Sequence, residues 1–89
     1  MDFEWDPAKA AANERKHGLA FQVAIVVFSD PNWLDLDVTR EADGESRRKA
    51  AGRIGEHVFT LVYTRRDAVV RLLSARRANV QELKEYDAR

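Results

Sequence analysis

Val69-Val70-Arg71-Leu72-Leu73-Ser74-Ala75-Arg76-Arg77-Ala78-Asn79-Val80-Gln81-Glu82 is the stretch that decides the fold of this 89-residue chain. Through Ala75 it is β-branched and apolar enough for a buried strand, and Arg76-Arg77 fall where that strand ends. Asn79 with Glu82 three residues later is the start signal of a helix running towards Tyr86. The Asn side chain accepts from a free backbone N–H, and the Glu reaches back to another. The double arginine is thus held between two fixed elements, and two planar, always-charged guanidiniums at the mouth of a sheet suggest a phosphate site.

Immediately upstream, His57 to Thr64 alternates in the manner of a strand, and Arg66-Asp67-Ala68 is short enough to turn it back into Val69 as a hairpin. Setting Arg65 opposite Val69 places Phe59, Leu61, Leu73 and Ala75 on one face and Thr60, Thr64, Ser74 and Arg76 on the other. The first face reads as core and the second as wetter. In this register Arg66 converges with Arg76 over a surface of hydroxyls. Arg71 lies beside Tyr63 at the rim of the core and reads as structural.

From the other end of the chain, Phe3 to Trp5 reads as a short edge strand. Asp6-Pro7 follows as an N-cap with proline in the first helical turn, and the helix spans Ala8 to Lys16 before stopping at His17-Gly18. Its Lys9, Asn13, Lys16 and His17 form a polar face, which is either a solvated surface or part of a site. Phe21, Ala24, Ile25 and Phe28 recur at the spacing of a short amphipathic helix that Asp30-Pro31 ends. Trp33 to Val38 alternates as a half-buried strand, with Leu34, Leu36 and Val38 on one side. Thr39 to Ser46 is a polar loop with the turn signal Asp43-Gly44, and the five acidic residues from Asp35 to Glu45 read as a solvated loop, with a cation site as the alternative. Arg47 to Gly52 is a candidate strand of poor apolar content. One domain is expected over residues 1 to 89, with a modest core.

Composition excludes several chemistries. There is no cysteine, hence no disulfide or thiolate, and two histidines are too few for a histidine-rich metal cage. The longest apolar run, Val23 to Phe28, cannot span a bilayer, and the acidic N-terminus lacks a signal segment, so a cytoplasmic protein without a membrane partner is expected. Net charge is zero, yet residues 1–45 carry a charge of −6 and residues 46–89 a charge of +6. That asymmetry is either ordinary surface charge or the mark of an anionic partner.

Several of these residues recur together in a known pattern. Phe3-Glu4-Trp5-Asp6, Lys9, Asn13, Lys16-His17-Gly18, Phe21, Ala24, Phe28, Asp30-Pro31, Gly44-Glu45-Ser46-Arg47, Gly52, Tyr63-Thr64-Arg65-Arg66, Arg71, Ser74-Ala75-Arg76-Arg77-Ala78, Glu82 and Tyr86 stand in an order and spacing that resembles the BrnT toxins over nearly the whole chain. The resemblance implies an α+β, RelE-like fold: two N-terminal helices, an antiparallel sheet of about four strands and a C-terminal helix. It implies an endoribonuclease toxin of a type II toxin–antitoxin pair, neutralised by a BrnA-type ribbon-helix-helix antitoxin. With that antitoxin it is expected to reach operator DNA and repress its own operon. Two positions depart from the pattern. Arg48-Lys49-Ala50-Ala51 is less apolar than usual, and Ala20 stands where a capping Ser or Thr is common.

The expected chemistry needs no metal and no cofactor. The RNA supplies its own nucleophile, the 2′-hydroxyl, and the enzyme orients it, moves two protons and neutralises the phosphorane. Arg76 and Arg66 are expected to stabilise that charge, and His17 is a candidate acid or base, with a structural role at the helix end as the alternative. Arg47, Lys9, Lys16 and Arg77 are candidate substrate contacts, while Tyr86 either stacks on a base or covers the core. A basic face that only binds antitoxin or nucleic acid is the competing reading.

Overall fold

The computed structural model describes residues 1–89. It is an α+β structure with a five-stranded mixed sheet. The chain forms β1 (Asp2–Glu4), α1 (Pro7–His17), α2 (Phe21–Ala24) running into a 3-10 segment (Ile25–Ser29), then β2 (Leu34–Asp37) and a 3-10 turn (Glu41–Asp43). It continues as β3 (Arg48–Ile54), β4 (His57–Arg66), β5 (Val69–Arg77) and α3 (Val80–Asp87). The strands lie in the order β1-β5-β4-β3-β2. The expected layout of about four antiparallel strands behind two leading helices is corrected in two respects. The strand at the N-terminus precedes the helices and joins the sheet, and it pairs with β5 in parallel, Phe3 opposite Val70.

Local signals act where the sequence puts them. Asp6 caps α1 by accepting from the Ala8 N–H at 2.9 Å, and Gly18 ends it at φ 68°, the left-handed conformation glycine adopts without cost. Asn79 and Glu82 form the expected reciprocal cap of α3. Ala20, by contrast, caps α2 with no side-chain bond. That helix tightens to 3-10 geometry after one turn, so Phe21, Ala24 and Val27, three residues apart, are the positions fully buried.

The main core lies between these helices and one sheet face: Phe21, Ala24 and Val27 against Ala50, Leu61, Tyr63, Val70, Leu72 and Ala75. Phe28 is its aromatic hub, with ring centroids 5.0 Å from Trp33, 5.4 Å from Tyr63 and 5.6 Å from Phe3. The small residues that made β3 look a poor strand are what allows this packing. A Cβ on Gly52 would come within 2.5 Å of the Val27 carbonyl oxygen, so only glycine lets the 3-10 segment lie this close to the sheet. The other sheet face is covered only at one end, where Tyr86 of α3 packs on Ala51 and Val58 beside Leu34 and Ala78.

The hairpin register differs from the expected one. Arg66 pairs with Val69 and Tyr63 with Leu72, but Val62 pairs with Ser74, so Leu73 is an unopposed bulge residue. Above the bulge the faces are as expected, with Leu61 and Ala75 inside and Thr60, Ser74 and Arg76 outside. Below it the faces of β5 alone are exchanged: Val70 and Leu72 enter the core, and Arg71 moves to the outer face opposite Thr64.

Candidate functional site

Strand pairing lays out the outer face as rows. Leu34, Ala51, Thr60 and Arg76 form the row beneath α3, Leu36, Lys49, Val62 and Ser74 the next, and Thr64, Arg71 and Glu4 the third. Arg47, just before β3, and Arg66, at the hairpin, lie beyond. Five cations interleaved with hydroxyls therefore occupy the one sheet face that the N-terminal helices leave open.

Their partners are acidic. Glu82 reaches down from the first turn of α3, its side chain only 3 % exposed, and accepts from Arg76 Nη1 at 2.7 Å, Arg76 Nη2 at 2.9 Å and Lys49 Nζ at 2.8 Å. Burial pushes the Glu82 carboxyl up, but the bonds from Arg76, Lys49 and the Asn79 N–H outweigh it and hold it at about 2. The same carboxylate raises the Arg76 guanidinium above its ordinary value. Arg71 is bonded to Glu4 across β5 and β1. Arg66 lies 3.9 Å from Glu45, and Arg47 lies 3.6 Å from Asp43, with its buried Nε unpartnered. The Arg71–Glu4, Arg66–Glu45, Arg47–Asp43 and Arg48–Asp35 pairs join the acidic first half of the chain to its basic second half, so part of the charge asymmetry is used inside the molecule.

Of the residues singled out from sequence, the structure brings few together. Arg66 and Arg76 share the open face, but Thr60, opposite Arg76, is six residues along β4 from Arg66, about 20 Å of strand. The expected convergence on one phosphate is therefore corrected to two stations on one surface. Arg76 and Arg77 are successive strand residues and point to opposite faces. Arg77 instead places Nη2 2.7 Å from His57 Nδ1, a contact that makes Nδ1 the acceptor. Lys9, Lys16 and His17 are exposed on α1, and no hydrogen bond or ion pair ties them to the open face. Arg47 stands at the far end, near Arg66. Tyr86 covers the second core: its hydroxyl donates to Asp30, and the Arg53 and Arg89 guanidiniums lie 5.8 and 5.2 Å from its ring centre, so the ring is not free to stack on a base.

Asn13, expected on a polar helix face, is buried. Its amide donates to the carbonyls of Ala75 (2.8 Å) and Leu19 (3.1 Å) and accepts from the Ala75 N–H (3.0 Å), which fixes α1 to β5. Lys49, Arg71 and the charge of Glu82 escaped the reading from sequence. Lys49 lay in the strand of poor apolar content, Glu82 read as a cap alone, and the bulge that turns Arg71 outward leaves no mark in the alternation.

Comparison with models of protein families matches residues 5–82 to one described as "Ribonuclease toxin, BrnT, of type II toxin-antitoxin system". No curated protein matches the chain.

Proposed function

Because the chain belongs to the BrnT family of type II toxin–antitoxin ribonuclease toxins, we propose that its open sheet face is an RNA-cleaving site that works without a metal ion. The observation that carries this is the convergence of Arg76 and Lys49, from different strands, on one point where the open part of the face meets α3. Two preorganised cations there supply the charge neutralisation that a phosphorane demands. The 2′-hydroxyl gives up its proton to a base and bonds to phosphorus. The bond to the 5′-oxygen breaks, and that oxygen leaves with a proton, so the product ends in a 2′,3′-cyclic phosphate.

Arg76 and Lys49 sit at the scissile phosphate in this reading, and Arg66 with Arg47 holds another phosphate of the same strand. His17, exposed in the last turn of α1, is the proposed acid or base. Loss of one limb of the pH–rate profile in His17→Asn tests that role. The proposed antitoxin is of the BrnA type, and the pair represses its own operon through the antitoxin's ribbon-helix-helix domain.

The test is a defined RNA incubated with the purified chain in the presence of chelator. Cyclic-phosphate ends are expected, with Arg76→Ala about a hundredfold slower and still folded. The acidic partner beside every face cation favours one competing reading, a surface that binds without cutting. In that case the RNA is retained but stays intact.

A further inference from the structure

We propose that Glu82 is a positioning residue of this site, holding Arg76 and Lys49 so that both address one phosphate; the inference rests on the ribonuclease reading above. Capping α3 asks little of this side chain. A glutamine at the same position would cap as well, through one oxygen to the Asn79 N–H. Glu82 instead uses four contacts: Oε1 takes Arg76 Nη1 and the Asn79 N–H, and Oε2 takes Arg76 Nη2 and Lys49 Nζ. Two cations from strands that are not neighbours, β3 and β5, are thus brought to a single oxygen.

The contacts leave the cations usable. Arg76 Nη1 also donates to the Arg77 carbonyl at 3.2 Å, so the guanidinium retains Nε–H and the second hydrogen of Nη2. These two donors share one edge, the geometry that two phosphate oxygens accept. The Arg76 side chain is 40 % exposed and that of Lys49 18 %, whereas that of Glu82 is 3 % exposed. The carboxylate acts from the protein side and fixes the pair in place before substrate arrives, which is how a positioning group raises the rate of a step made of orientation and charge.

Binding and cutting should therefore separate when Glu82 is neutralised. Removing a negative charge next to a phosphate site strengthens RNA binding if it changes anything, while loosening two cations slows the chemistry. Parent, Glu82→Gln and Lys49→Met are compared by RNA affinity, by single-turnover cleavage with chelator, and by thermal unfolding. In Glu82→Gln binding is expected to stay equal or tighten while cleavage slows about a hundredfold. A folded Glu82→Gln that cuts at the parental rate overturns the inference and leaves the ribonuclease reading intact. Should Glu82→Gln fail to fold, Lys49→Met, which keeps the cap and the Arg76 pair, decides: slowed cutting by the folded variant supports the paired-cation site, and parental cutting overturns it. A parent chain that does not cut takes down the ribonuclease reading, and this inference with it.

Discussion

Asn13 shows how one side chain stands in for a strand. β1 covers the outer edge of β5 only as far as Arg71, and further along, the N–H and C=O of Ala75 are met by the Asn13 amide instead. Aspartate has nearly the same shape but can donate to neither carbonyl, so Asn13→Asp leaves the oxygens of Ala75 and Leu19 unpaired and facing a charge. Asn13→Asp is expected to lower stability by about 2–4 kcal/mol, read as a shift of the denaturant midpoint at unchanged slope. That this asparagine is internal could not be read from the helix pattern, which places it between Lys9 and Lys16 on a polar face. A polar residue that folds inward by bonding main chain 62 positions away looks, in sequence, like any wet one.

At the scale of elements, the segments whose ends carry their own chemistry were legible. Asp6-Pro7 and Gly18 bound α1, Asn79 and Glu82 open α3, and the alternation of His57 to Thr64 is β4. What escaped depends on contacts between elements. β3 reads poorly because the residues that suit it are small, and their fitness lies in what approaches them. Gly52→Ala should thus cost about 2 kcal/mol or more, since the added methyl meets main chain rather than a side chain that can move; loss of thermal stability without change of fold checks it. The Leu73 bulge is similarly silent. One extra residue in β5 exchanges the faces of that strand's residues nearer the turn, whereas unbroken alternation puts Arg71 at the core rim and Leu73 in the core. Of the candidate site, the placing of Arg76 on a hydroxyl-bearing face is legible in the sequence, and its pairing is not, because Lys49 and Glu82 meet across 33 residues.

For the whole molecule, zero net charge hides a polar arrangement. Glu82 has a folded-state value of about 2 against an ordinary 4.5. Its contribution is complete above pH 4.5 and disappears as the pH falls through about 2. It is worth about 3 kcal/mol at most. Denaturation curves should therefore weaken from pH 5 to pH 2, and Glu82→Gln should flatten that fall; a parent and variant with the same acid profile would count against the ion cluster as an anchor. Binding to RNA is expected to depend on the face rather than on net charge. If three to five of its cations meet phosphates, log affinity should fall against log salt with a slope of about −2 to −3.5. Arg76→Ala should make that slope shallower by about 0.7.

The clamp on Arg76 and Lys49 also has an order in time. Lys49 belongs to the middle of the chain and Arg76 to the last strand, but the group that gathers them lies further on, at position 82. Synthesis delivers residues in that sequence, and folding on the ribosome follows it. A nascent chain halted after Arg77 would present both cations with nothing to hold them together. The joint placement of Arg76 and Lys49 is thus complete only once residue 82 and the first turn of α3 have been made.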